Sequence, residues 1–243
     1  MEITTATDSG ISTRTKAFFA LLLLVPAPFI GTWFGLYSTE TRGTFFGQTI
    51  YVAGKIWILV LPLFWLFFVD RARPSFSPAR RGGWAAGIIS GLLISTGILI
   101  IWIVVGRHWI DREIVREAIL AAGIGTPLHY ALFAVYIFTI NAILEEYVWR
   151  WFVFRKSTDL LGKAGIGAVI LSALFFTLHH IIALLAQFDP LPTFLAAFGV
   201  FVGGCIWSGL YLKYRSIWPG FVSHAIVDIA IFAIGARILF FET

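Results

Sequence analysis

The chain has 243 residues, 59% of them hydrophobic and 13% charged, with a mean hydropathy of +0.88 and a formal net charge of +5. So few polar side chains cannot cover the surface of a water-soluble domain of this size, and no extended soluble basic surface exists to hold a duplex, so a nucleic-acid partner is excluded. Windows of about 20 residues with hardly a charge are long enough to cross a bilayer as helices, and they predict an integral membrane protein. The expected fold is an all-α polytopic transmembrane helical bundle, a single membrane domain over 1–243.

About seven spans, eight at most, are predicted, near residues 17–37, 49–70, 84–106, 127–148, 165–187, 191–212 and 217–240. The first opens with "RTKAFFALLLLVPAP", basic residues before a short apolar run, in the manner of a signal peptide. The apolar character continues through "FIGTWFGLY" beyond Pro26 and Pro28, so retention as a kinked first helix is expected. Lys55 lies inside the second span toward its outer end, where it could snorkel. After the second span, "RARPSFSPARRGG" reads as a mobile basic anchor. Between the third and fourth, Trp109, Ile110, Ile114, Ala118 and Ile119 recur at helical spacing among charged residues. They predict an amphipathic interfacial helix around 109–122, either a plain connector or a lid. Cys205 is the chain's one cysteine, so neither an intramolecular disulfide nor a thiolate metal site is expected.

Basic residues divide unevenly between the two sides. Arg14, Lys16, Arg71, Arg73, Arg80, Arg81, Arg150, Arg155, Lys156, Lys163, Lys213 and Arg215 fall on one side, against Arg42, Arg107, Arg112, Arg116 and Arg237 on the other. The bias predicts a cytoplasmic amino terminus and an external carboxy terminus. Trp149, Trp151 and Trp218 fit an aromatic belt at the inner face, and Gly203, Gly204 and Gly209 fit close helix approach.

The fourth span ends in "NAILEEYVWR". Carboxylates buried in a membrane are expensive and face a cavity or a partner. Glu146 and Arg150 stand one turn apart and can pair, whereas Glu145 points about 100° away on a stripe with Asn141 and Trp149. The fifth span contains "SALFFTLHH", with His179 and His180, and the seventh "WPGFVSHAIVD", with His224 and Asp228 one turn apart. Counted at about 1.5 Å per residue, these groups fall in the inner half to middle of the bilayer. They define either a polar network that holds helices together or an active site inside the bundle. Histidine suits proton relay and metal binding alike, while His108 and His129 read as interface or packing residues.

The order "EEYVWR", "FTLHH", "HAIVD" resembles the CPBP-type intramembrane proteases, the family of type II CAAX prenyl endopeptidases and of bacteriocin-processing and self-immunity (ABI) relatives. Glu145, Glu146 and Arg150 match its Glu-Glu-x-x-x-Arg motif, and His224 and Asp228 its His-x-x-x-Asn/Asp motif. The Phe-x-x-x-His motif fits both Phe175–His179 and Phe176–His180; the second is chosen because Ser172 supplies a small residue four positions earlier. The similarity implies a catalytic core over 127–240 that hydrolyses peptide bonds. Glu145 would act as general base, supported by Glu146 and Arg150, with His180 aiding water activation and His224 and Asp228 on the oxyanion side. An ionised Asp228 would repel an oxyanion, so it is protonated, orients His224, or helps to bind a cation. The resemblance leaves metal-dependent and glutamate-centred mechanisms in competition. In the preferred metal version His180, His224 and Asp228 hold Zn²⁺, with no organic cofactor.

The expected partners are the lipid bilayer and a membrane-associated protein or peptide substrate, lipidated or not; CAAX processing is one option. In a prokaryote the location would be the plasma membrane, with the active site toward the cytoplasmic half. A transporter or channel with a buried Glu/His network and a noncatalytic immunity or scaffold protein are the alternatives.

Overall fold

In the computed structural model, which describes residues 12–241, the regular elements are helical and no strand occurs among the described residues. In chain order these are α1 (Thr13–Tyr37), α2 (Phe45–Val69), α3 (Trp84–Trp109), the short α4 (Arg112–Ala121), α5 (Pro127–Leu161), α6 (Ile166–Leu185), α7 (Pro190–Tyr214) and α8 (Trp218–Phe240). All but α4 are long and apolar enough to cross a membrane, which gives seven spans among the described residues. Their outer surface presents Phe68, Leu93, Val104, Leu128 and Phe194, large side chains that stay exposed. Such a surface suits acyl chains rather than water. The chain ends, expected on opposite sides of the membrane, fall partly on residues outside the described range.

Local chemistry sets the helix limits. Asp111 caps α4 by accepting from the backbone N–H groups of Glu113 and Ile114, and Thr126 caps α5 immediately before Pro127. The α4 span lies within the stretch predicted to be amphipathic, and it packs against α8. Two π-helical turns, Ile137–Asn141 and Tyr147–Phe154, flank the short α-helical stretch Ala142–Glu146 inside α5. Such turns shift side-chain register, and here they bracket the carboxylate pair.

Close crossings hold α8 and α6 in place. A Cβ added at Gly87 or Gly91 of α3 would strike the backbone of Pro219 or Ser223 on α8. A Cβ at Gly204 of α7 would press on Ala173 of α6 at 3.2 Å, a tight contact rather than a clash, whereas Gly209, expected to serve close helix approach, faces open space. The segment between α2 and α3 pins the start of α8. Ser216 Oγ donates to the Ser77 carbonyl at 2.6 Å, Ile217 N–H to Ser77 Oγ at 3.0 Å, and Trp218 Nε1 to the Phe76 carbonyl at 3.0 Å. The basic segment is therefore a strap rather than a loose anchor.

The fourth span, Pro127–Leu161, runs further along the chain than the predicted 127–148. Trp149, Arg150, Trp151 and Lys156, expected at the membrane face, are buried. Lys156 Nζ lies 2.6 Å from Asp70 Oδ2 and 3.4 Å from Asp159 Oδ2. Paired cations and packed indoles let this part of α5 remain inside the protein, beside α1.

Candidate active site

Glu146 and Arg150 are wholly buried, with Arg150 Nη1 3.2 Å from Glu146 Oε1. The approach is too oblique for an aligned hydrogen bond. The guanidinium carbon instead sits 4.5 Å from the Phe176 ring centroid and 5.0 Å from that of Trp207. A desolvated cation on two aromatic faces gains about 2 kcal/mol or more from such contacts, so Arg150 fixes Glu146 while resting on α6 and α7.

His224 projects from α8 into this pair. Its Nδ1 lies 3.2 Å from Glu146 Oε1; since a carboxylate only accepts, Nδ1 carries the hydrogen. Trp207 stacks on the imidazole at 4.0 Å with an interplanar angle of 17°, and its Nε1 donates to Ser223 Oγ at 3.0 Å. The ring orientation is thereby set from both faces of the site. His224 Nε2 then faces two carboxylates, Glu145 Oε2 at 3.7 Å and Asp228 Oδ1 at 3.8 Å. A bare lone pair there would meet only negative oxygens. A proton on Nε2 or on a facing carboxyl, or a cation between them, relieves that repulsion.

Glu145 is the less enclosed carboxylate, its side chain 17% exposed. Asn141 Nδ2 donates to its Oε1 at 3.0 Å from one turn earlier on α5. His180 Nδ1 donates to the Phe176 carbonyl at 2.9 Å, which leaves Nε2 as the free ring nitrogen. Beside it His179 stacks on Trp149, centroids 5.0 Å apart and 3° from parallel, with a buried Nδ1 that has no hydrogen-bond partner.

Three helices therefore bring Glu145, Glu146, Arg150, His180, His224 and Asp228 to one place, together with His179. Glu145, His179 and His180 offer ligand atoms that all lie within 4.8 Å of one another. Two imidazoles and a carboxylate are a donor set that zinc accepts, and the unpartnered His179 Nδ1 leaves a lone pair or proton to be satisfied, so the residues fit a divalent ion. The set named from sequence was His180, His224 and Asp228. His180 belongs to both; His224 lies outside the closer group but reaches it through Glu145 Oε2, 3.7 Å from its Nε2, with Asp228 Oδ1 at 3.8 Å. His108 and His129 are exposed and lie apart from the cluster.

Sequence reasoning treated His179 as an alternative to His180, because the doublet gives two equal Phe-to-His spacings, and the structure places both rings 4.0 Å apart. Trp207 and Ser223 were missed. Nothing in "GGCIWSGLY" distinguishes an indole that stacks on a histidine from one that packs against lipid.

Gly220, one turn before His224, has no room for a side chain, since a Cβ there would strike Glu146 Oε2. With Glu146 held by Arg150 and His224, Gly220→Ala is expected to cost about 1–3 kcal/mol of stability, the usual penalty of overpacking. Denaturant unfolding in detergent measures this. Gly209→Ala, with open space at its Cβ, serves as the control that loses nothing.

Residues 127–230 match the family model described as type II CAAX prenyl endopeptidase Rce1-like. That segment, somewhat under half of the chain, is a CAAX protease homology region; it begins with α5 and contains all the clustered residues. No curated protein and no solved structure matches the chain.

Proposed function

We propose that the protein is a membrane-embedded endopeptidase whose centre is Glu145 with Glu146, Arg150, His180, His224 and Asp228, in a catalytic core over 127–240 of one membrane domain. The observation that carries this reading is the meeting of two carboxylates of α5 with His224 of α8, at 3.2 and 3.7 Å, inside the homology region. A packing network alone would favour satisfied pairs. Here Glu146 Oε2, Asp228 Oδ2 and His179 Nδ1 are buried without hydrogen-bond partners.

Glu145, less enclosed and held by Asn141, takes the proton of a water that attacks the scissile carbonyl. His180 Nε2 orients that water, because Nδ1 is committed to the Phe176 carbonyl. A proton held between His224 Nε2 and Asp228 faces the charge that develops on the carbonyl oxygen and passes to the departing amine as the C–N bond breaks, and the proton that Glu145 took from water replaces it. Asp228 acts through His224 in this scheme, which removes the conflict between its charge and an oxyanion. Glu146 and Arg150 hold His224 in register.

The orphaned His179 Nδ1 favours a metal-dependent variant of the same site. Glu145, His179 and His180 would hold Zn²⁺, which when bound acidifies water and polarises a carbonyl. The substrate is a membrane-associated protein or peptide that enters from the cytoplasmic half, where the basic residues concentrate.

Purified protein in proteoliposomes, given a library of membrane-anchored peptides with and without a prenyl group, should yield mapped internal cleavage products. His180→Ala is expected to lose them with its fold intact. Retained cleavage in protein stripped of metal to below stoichiometric content would remove the zinc variant. Ion flux across the vesicles without any cleavage would remove the peptidase.

A further inference from the structure

The strap between α2 and α3, residues 70–83, carries charge that the protein does not use internally. Arg71, Arg73, Arg80 and Arg81 are all exposed, and none has a carboxylate within 4.0 Å among the described residues. The one carboxylate of the strap, Asp70, is taken by Lys156 at 2.6 Å. Arg215 stands exposed beside Ser216, where the strap is bonded to the start of α8.

Among these cations lies Phe76, 92% exposed. A phenyl ring on a loose loop would fold back onto apolar surface, but the backbone here is fixed. The Phe76 carbonyl accepts from Trp218 Nε1 at 3.0 Å, and the neighbouring Ser77 is buried and bonded to both Ser216 and Ile217. Ser77 has a φ of +52°, a left-handed conformation that serine keeps only where its surroundings impose it. The ring is thereby held away from the bundle.

The strap joins the ends of two spans, Val69 and Trp84, which places it at the membrane surface. Trp84, at the same level, is also exposed. Aromatic rings are favoured in the headgroup boundary, and unpaired guanidinium groups find phosphate oxygens there. Cations on both sides of an outward aromatic ring suit a segment that lies on an anionic bilayer.

We propose that the strap docks on anionic phospholipids of the bilayer that the protein spans: its four arginines pair with headgroup phosphates, and Phe76 enters the boundary between headgroups and acyl chains. The contact extends to α8, whose first residues are bonded to the strap and which carries His224 one turn after Gly220. The peptidase reading is not required for it.

Hydrogen exchange read by mass spectrometry, on the full chain in nanodiscs of phosphatidylcholine with and without phosphatidylglycerol, tests the dock without an activity assay. Amides of 70–83 and 216–220 are expected to exchange about fivefold or more slowly in the anionic discs, the effect of a single guanidinium near such a surface. The α6–α7 connection, 186–189, should stay the same. High salt should shrink the difference. Changing Arg71, Arg73, Arg80 and Arg81 together to Gln should abolish it, and Phe76→Ser should leave only a smaller, salt-sensitive part. Unfolding midpoints in detergent check that the variants keep their fold; if the fourfold variant does not, Arg73→Gln combined with Arg80→Gln replaces it. Equal exchange of the wild type in both discs, or a difference that survives loss of the arginines in a folded variant, overturns the proposal. Protection by inorganic phosphate or an acidic peptide in neutral discs, with none from anionic lipid, also overturns it and assigns the arginines to a soluble anion.

Discussion

Glu145→Gln is expected to reduce peptide cleavage by about 10²- to 10⁴-fold, the usual contribution of a positioned general base. The amide keeps the volume of the carboxylate and can still accept from Asn141, 3.0 Å away, so the bundle has no reason to loosen. What disappears is the group that takes the proton of water. The unfolding midpoint should therefore match wild type while kcat collapses; a folded Glu145→Gln protein with undiminished kcat would exclude Glu145 as base. Metal content measured on the same samples separates the two versions of the site. If Glu145 acts only as base, bound zinc is unchanged; if it ligates with His179 and His180, zinc falls together with activity.

Hydropathy made the spans legible because a bilayer imposes length and apolarity on every crossing helix. The predicted spans 84–106, 165–187 and 217–240 lie close to Trp84–Trp109, Ile166–Leu185 and Trp218–Phe240. The inner end of α5 was misjudged for a physical reason. Hydropathy reads Arg150 and Lys156 as solvated, and only the partners Glu146 and Asp70, the latter on another helix, show that they are buried. One-turn spacing was enough to anticipate the Glu146–Arg150 pair. It could not reveal that His224 bridges Glu146 and Glu145, since that contact depends on how α8 crosses α3 at Gly87 and Gly91 and on the strap at Ser77. Stacking on Trp149 and Trp207 was hidden for the same reason: an aromatic belt and an aromatic lining have the same composition.

Arg150→Met is expected to destabilise the folded protein by about 3–5 kcal/mol, the cost of leaving one member of a buried ion pair alone. Glu146 is fully enclosed, and with Arg150 gone His224 would be its one remaining ion-pair partner among the described residues. The site would respond by taking up a proton on Glu146 or by admitting water, and either change frees His224 to rotate away from Glu145. Both stability and cleavage should therefore fall, which does not by itself separate a structural role from a positional one. Adding Glu146→Gln to Arg150→Met removes both charges, leaves a neutral amide that can still accept from His224 Nδ1, and is expected to restore much of the lost stability. Cleavage should stay low in the double variant, because a neutral amide no longer holds His224 as a carboxylate does. Denaturant midpoints and kcat on the three proteins decide the matter: recovery of both together would make the pair a mere structural clasp, whereas recovery of stability alone ties its charge to the work of His224.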